Sequence, residues 1–473
     1  MSDVDPTASG PAPASSFFQF LTRGALPRLL LLGLLTLLLT IPLTMVNWVL
    51  NDRTGRQWEV ESLIAEQWGA AQTIAGPVVR VPYIEIVTST RNNETVQQER
   101  RHMLEFLPET LTVDAQLAIE ERAKGPYVIP VYGAELAINA RLAQPDFAAL
   151  GIEPSRILWN EAVISMAIAD PSALRGATLR IGDTALEIEP GFAPGVSDVG
   201  GFHARLKALG SNGFGAGRDL TLSLSFNGMT ALSVLPLGEQ TSVHIAGNWP
   251  HPNFAGSFLP VERTVSHTGF DATWEIASLA RSLPNTKIDG SIVADAMFNY
   301  AGDRFGVELA TPVDVYAQVD RVLKYGILVI GLTFASIFVI GVLRDVRAHT
   351  VQYLLVGGSL VLFYLMLLAL AEHMPFVFAY AIASLLDLAA VSLYVGRTVS
   401  RGAGLTVALL LATVRGFMYL LLQEEDFSLL IGSVGLFVAL AVVMYATRNA
   451  DWYRIGTNRT SGSRSAAGAP AHA

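Results

Sequence analysis

The sequence predicts a membrane protein of the α+β class: six transmembrane helices, one amino-terminal and five carboxy-terminal, around a large, mainly antiparallel β domain. Three observations predict it. Charged residues make up 15% and hydrophobic residues 51% of the 473, and mean hydropathy is +0.41, whereas average soluble chains carry roughly 25% charge. The long apolar runs sit near the two ends of the chain. Between them the apolar residues recur with a period of two. A net charge of −9 argues against a nucleic-acid partner, which needs a basic footprint. The chain has no cysteine, which excludes thiolate catalysis, disulfide scaffolds, iron–sulfur clusters and c-type haem.

Residues 1–28 form a cytoplasmic amino terminus, and the Ala, Pro, Ser and Asp of residues 1–16 offer too little apolar surface to order it. Leu29 to Leu50, LLLLGLLTLLLTIPLTMVNWVL, is the first span, because about 20 apolar residues cross a 30 Å hydrocarbon core. A cleaved signal peptide would need a shorter apolar core and an A-x-A-like site, and this run has neither. Pro42 is a candidate kink. Five further runs follow Tyr325: Gly326–Leu343, Val351–Ala371, Phe376–Val395, Leu405–Leu422 and Ser428–Ala446. Six spans put both termini on one side. Arg23, Arg28, Arg344, Arg347, Arg397, Arg401, Arg448, Arg454, Arg459 and Arg464 all flank the spans on that side, while the opposite short loops carry Glu372-His373 and Gln423-Glu424-Glu425-Asp426. Basic residues mark the cytoplasmic face, so both termini are placed there. The bundle then covers 325–447 and the carboxy-terminal tail 448–473.

Residues 51–324 are accordingly translocated, into the periplasm of a bacterium. Val60, Leu63, Ile64 and Trp68 keep helical spacing, so the first helix is expected to continue past the membrane. Beyond Gly76 the pattern is that of strands. Leu111, Val113, Ala115, Leu117 and Ile119 alternate with Thr112, Asp114, Gln116 and Ala118. Leu222, Leu224 and Phe226 alternate with small polar residues, as do Phe270, Ala272, Trp274 and Ile276, where a helix through Ala280 and Leu283 is the alternative. The length of this region allows two sandwich-like halves.

Motifs for chemistry are sparse. The histidines lack metal-ligand spacing; His244, His251 and His267 are the nearest grouping, and strand histidines are more often surface residues than ligands. Gly213, Gly215 and Gly217 lack the Lys-Ser/Thr of a phosphate loop and read as a hairpin connection. There is no G-x-S-x-G elbow, and Glu109, Glu120 and Glu121 read as solvated hairpin acids. No catalytic, cofactor-binding or metal residue is assigned. Gly357, Gly358 and Ser359 read as close-packing positions, and Tyr353 as an interfacial residue.

The informative residues lie in the membrane. Asp387 sits midway along the fourth span and Arg415 within the fifth. Each costs on the order of 3 kcal/mol near the bilayer centre unless partnered. Their depths from the same side are about 16 Å and about 10 Å at 1.5 Å per residue, a difference that a long Arg side chain bridges. An Asp387–Arg415 ion pair between antiparallel neighbours is therefore expected, as structural glue or, alternatively, as part of a polar pathway in a transporter or channel component.

Several stretches resemble one known family. GPVVRVPY (Gly76–Tyr83), FLPETLTVDA (Phe106–Ala115), EERAKGPYVIPVY (Glu120–Tyr132), NWPHPNFAGSFLP (Asn248–Pro260), KYGILVIGLTF (Lys324–Phe334), QYLLVGGSLVLFYLMLLALAEH (Gln352–His373) and TRNADWY (Thr447–Tyr453) are similar to the CreD family of bacterial inner-membrane proteins. The resemblance implies the same architecture and an association with cell-envelope integrity and the envelope stress response, and it supplies no enzymatic activity, cofactor or catalytic residue to carry over. Gly341 and Thr350 depart from the family pattern, where Glu and Pro are expected. No role for Asp387 or Arg415 follows from the resemblance. The lipid bilayer is one partner, and envelope proteins or peptidoglycan are candidate partners for the β domain.

Overall fold

A computed structural model describes residues 25–448, apart from 92–93, 197, 208–212, 216, 299–302, 312–314, 344–348 and 424–427. The tails expected to be disordered and the basic connection at Arg344 and Arg347 lie outside the described residues. The chain divides into two compact units, one of Met1–Thr54 with Val313–Ala473 and one of Gly55–Pro312.

The first unit is helical. Helix α1 (Ala25–Leu38) and helix α2 (Thr40–Trp68) are separated only by a turn residue, Leu39. Pro42 explains the interruption, since it offers no N–H to the carbonyl of Leu38 and its ring crowds that carbonyl. Leu32, Leu35, Leu39, Leu43, Val46 and Leu50 form a buried stripe at spacings of three and four, while Leu30, Leu34, Leu37, Ile41, Met45 and Trp48 point outward. An outward face of large apolar side chains suits lipid.

The carboxy-terminal helices begin after the sandwich, which contributes a short α3 (Ile292–Phe298). They are α4 (Val315–Lys324), α5 (Gly326–Leu343), α6 (Thr350–Ala371), α7 (Phe376–Thr398), α8 (Arg401–Gln423) and α9 (Ser428–Thr447). Among the described residues four helices are long and apolar enough to cross a membrane, and a fifth if α4 and α5, bent by 41°, form one span. Helix α4 is amphipathic, burying Tyr316, Val319, Val322 and Leu323. Tyr353 is buried, edge-on to Phe334 at 5.5 Å between centroids.

The second unit is a β sandwich. Its strands are β1 (Gln72–Arg91), β2 (Glu94–Phe106), β3 (Thr110–Lys124), β4 (Tyr127–Leu142), β5 (Val163–Ile168), β6 (Leu174–Ile181), β7 (Thr184–Leu186), β8 (Ile188–Pro190), β9 (Gly201–Arg205), β10 (Arg218–Met229), β11 (Ala231–Val234), β12 (Gln240–Gly247), β13 (Pro252–Gly256), β14 (Glu262–Ser266), β15 (Gly269–Ala277), β16 (Thr286–Ile288) and β17 (Phe305–Leu309). One sheet runs β13-β17-β11-β1-β5-β9-β8, with β2 and β16 attached, and the other β14-β15-β12-β3-β4-β10-β6-β7. Both sheets are mixed. Pairing is antiparallel except for β1 with β11 and β3 with β12, which are parallel. The alternation expected along β3, β10 and β15 is present: Leu111 to Ile119, Leu222 to Phe226 and Phe270 to Ile276 bury every second side chain.

The region does not form two halves. A single apolar cluster joins Val79, Leu104 and Phe106 of one sheet to Val113, Ile138, Leu222 and Trp274 of the other. The end of α2 belongs to this unit. Ile64 packs with Ile129, Val131 and Met229, and Leu63 is exposed. Trp68 donates its indole N–H to Tyr132 O at 3.2 Å and lies under the guanidinium of Arg122 at 3.7 Å.

Candidate functional site

The site is assembled from three helices of the first unit. His349 caps α6, accepting the Val351 N–H on Nδ1 while Gln352 Oε1 accepts the His349 N–H. Helix α7 follows Pro375 and buries Phe376, Ala379, Tyr380, Ala383, Asp387, Val391 and Val395, a single helical stripe. Helix α8 buries Ala403, Val407, Leu411, Arg415 and Met418 in the same fashion. A Cβ on Gly404 would come within 2.6 Å of Gly396 Cα, so the two backbones touch there. Tyr380 and Tyr419 meet at 5.6 Å toward the other end. This register brings Asp387 level with Arg415.

Arg415 Nη2 donates to Asp387 Oδ2 at 2.8 Å. The side chains are 4% and 1% exposed. Ser359 of α6 donates to the second carboxylate oxygen, Oδ1, at 3.0 Å. The face of the guanidinium is covered by the Phe363 ring, 3.4 Å from Cζ to centroid. Tyr380 donates to the Arg415 backbone carbonyl at 2.8 Å, which ties the backbone of α8 to α7. Of the small residues on α6, Gly357 admits Leu39 and Phe334, Gly358 faces open space, and Ser359 serves the carboxylate. Ser359 and Phe363 escape a sequence reading because hydroxyl and aromatic residues are common in spans.

A second polar group in this unit gathers around Glu372, whose Oε1 accepts from Tyr316 OH at 3.3 Å and lies 3.5 Å from Arg53 Nε. It joins α2, α4 and the end of α6.

The sandwich holds polar groups of other kinds. Arg80 and Glu105 are directly opposed on β1 and β2. Their side chains are 7% and 0% exposed, with Nε 3.3 Å from Oε2. Glu105 Oε1 also accepts from Ile292 N at 2.7 Å, Val293 N at 3.3 Å and Ser291 Oγ at 3.3 Å. Burial pushes the Glu105 carboxyl above its ordinary value against the pull of Arg80 and these donors, and burial lowers Arg80. A lone Arg in VVRVPY and a lone Glu in MLEFLP were the available signals.

His244 stands between Asp271, 2.8 Å from Nε2, and Asp114, 3.4 Å from Nδ1. His102 is held in the same manner by Asp289 and Glu85. The hydrogen bond that His244 donates to Asp271 raises its pKa, and the one that His102 donates to Asp289 does the same. Among the described residues no three His, Asp or Glu side chains are placed to share a metal ion. His251 and His267 are exposed and not joined to His244. Glu109, Glu120 and Glu121 are exposed.

NWPHPNFAGSFLP is a packed segment. Asn248 clamps both backbone groups of Ile119, Trp249 donates to Ala310 O, and Phe254 packs edge-on to Phe270 and Trp274.

A family model described as inner membrane protein CreD matches residues 25–453. Inner membrane protein CreD of Escherichia coli strain K12 is 34% identical over 433 residues, which cover 90% of this chain and 94% of that protein. The chain belongs to the CreD family. As a CreD-family chain with several apolar helices of spanning length, it is a multi-pass inner-membrane protein. The family match runs through both units.

Proposed function

We propose that this CreD-family chain is a non-enzymatic protein of cell-envelope integrity, in which a six-span anchor holds a β sandwich that contacts an envelope component. The observation that carries the reading is the closure of the Asp387–Arg415 pair. Its two charges cancel, Ser359 takes the remaining carboxylate oxygen, and Phe363 covers the guanidinium. Such an arrangement fixes helix register and gives a passing solute no exposed charge to bind. The envelope role rests on the family resemblance. In this reading helix α9 is the sixth span, both termini are cytoplasmic, and residues 51–324 are periplasmic, in keeping with the arginines that flank the spans.

Complementation of a deletion strain under detergent or β-lactam challenge tests the reading. The double variant Asp387→Leu with Arg415→Leu is expected to reach the membrane at normal levels and to rescue survival, because removing both charges leaves no unpaired ion. A double variant that folds, inserts and fails to rescue would instead favour a transporter or channel component. A form ending at residue 350 asks the complementary question, and rescue by it would place the function in the sandwich.

A further inference from the structure

The outermost strands of the sandwich differ in how their free edges are protected. β7, β8 and β16 have three residues each, and β13 opens on Pro252. Short strands and edge prolines are common defences against pairing with another chain. Strand β14 (Glu262–Ser266) has neither. All of its residues are exposed, and it contains no proline or lysine. It ends its sheet, with β15 as its one neighbour among the described residues. Arg263 does not guard the edge, because its guanidinium lies over the Phe254 ring at 6.0 Å. Leu259, Val261 and Val265 are each half or more exposed.

The register decides which backbone groups are free. A two-residue turn at His267-Thr268 closes Ser266 on Gly269, and the Val261 N–H donates to Thr273 O at 2.8 Å. Hydrogen-bonding direction alternates along an antiparallel strand, so Glu262, Thr264 and Ser266 bond to β15 while the N–H and C=O of Arg263 and Val265 point to the open edge. We propose that this edge pairs with β14 of a second copy of the chain, antiparallel, about a two-fold axis at Thr264. That axis sets Arg263 of each copy opposite Val265 of the other, and both residues present free groups to exchange. It also sets Glu262 against Ser266 and Thr264 against Thr264, so no like charges are opposed. An axis at Arg263 would oppose two cations, and one at Val265 would run the strand into the turn at His267. The Val265 side chain shares the face of Phe270, its buried cross-strand partner, and gains the aliphatic stem of the opposing Arg263 as cover. A five-residue strand makes a small interface. Confinement of both copies to one membrane offsets this by raising their effective concentration.

The chain lacks cysteine, so single cysteines report the pairing directly. Thr264 occupies a non-hydrogen-bonded position, where opposed Cα atoms lie about 4.5 Å apart, within the span of a disulfide. Thr264→Cys in the full chain, oxidised in native membrane vesicles, should give a covalent homodimer. Glu262→Cys lies on the same exposed strand but away from the axis. Its two copies would stand roughly 13 Å apart along the strands, and they should cross-link about tenfold less. Adding Val265→Pro to Thr264→Cys removes a donor that faces the edge and leaves the bonds to β15 intact, so it should lower the cross-link about tenfold with an unchanged melting temperature. No homodimer from Thr264→Cys, equal yields from Thr264→Cys and Glu262→Cys, or a cross-link that survives Val265→Pro would each overturn the proposal. So would a cross-link of Thr264→Cys to a different protein in place of the homodimer, which would assign the edge to a foreign strand.

Discussion

Each unit contains a buried Arg–carboxylate pair, and the two are built for different surroundings. In the sandwich, Arg80 and Glu105 face each other across adjacent strands, and the start of α3 adds two backbone N–H groups and a hydroxyl to the carboxylate. When this unit unfolds, both charges return to water. Burial therefore opposes ionisation at both residues, and the extra donors offset part of that cost. In the bundle, Asp387 and Arg415 meet between helices whose separated state is still in lipid, so neither charge gains water by parting. The pair in the bundle has less help from backbone donors and less need of it. Similar chemistry is thus costly to keep in one unit and costly to break in the other.

Splitting each pair sharpens this comparison. Asp387→Leu alone strands Arg415 and should destabilise the bundle by about 3–5 kcal/mol, read as lost folded fraction on titration of the detergent-solubilised chain with SDS. The double Leu variant should recover most of that loss. Full loss in the double variant as well would mean that Ser359 and Phe363 depend on the charges for more than packing.

Glu105→Gln keeps an acceptor for Ile292 and Val293 but leaves Arg80 without its counter-charge. It should cost the sandwich about 2 kcal/mol, seen as a lower melting temperature by tryptophan fluorescence. A larger loss than that of Asp387→Leu would reverse the ranking.

Gly404→Ala tests whether packing or charge positions α7 against α8. The added methyl meets the Gly396 backbone, and overpacking of this kind should cost about 1–3 kcal/mol in the same SDS titration. No loss would show that the ion pair alone sets the spacing.

The smallest effect is a pH dependence confined to the sandwich. His102 and His244 have folded pKa values raised above the ordinary 6.5, so their stabilisation is complete below that value and is lost as pH rises through the raised folded pKa. Both are partly exposed, at 21% and 31% of the side chain, which keeps the effect small. The sandwich melting temperature should fall as pH rises above 6.5, and the double variant His102→Gln with His244→Gln should flatten that slope. An unchanged slope would assign it to other groups.

The membrane pair was legible because an Asp and an Arg stand out in apolar runs and helical periodicity fixes their depth. Its surroundings were not, since Ser359 and Phe363 look like ordinary span residues until α6 is placed beside α7. In the sandwich, alternation located β3, β10 and β15, because a half-buried strand shows its period locally. It could not reveal that Arg80 and Glu105 share a covered face, nor that β1 pairs with β11, because both depend on which distant strands become neighbours. The single core was missed for the same reason: strand patterns do not tell one large sandwich from two small ones.

The two parallel pairings also set an order of assembly. Gln72 of β1 lies against Leu232 of β11, and Leu111 of β3 against Thr241 of β12. Each sheet therefore waits, as the chain is made from its amino terminus, for a strand that appears far downstream. Until β11 and β12 emerge, one edge of both β1 and β3 is incomplete, and contacts so distant in sequence form slowly and leave pairing edges open to other chains. Such a domain, made beside a membrane, depends on whatever shields those edges during the delay.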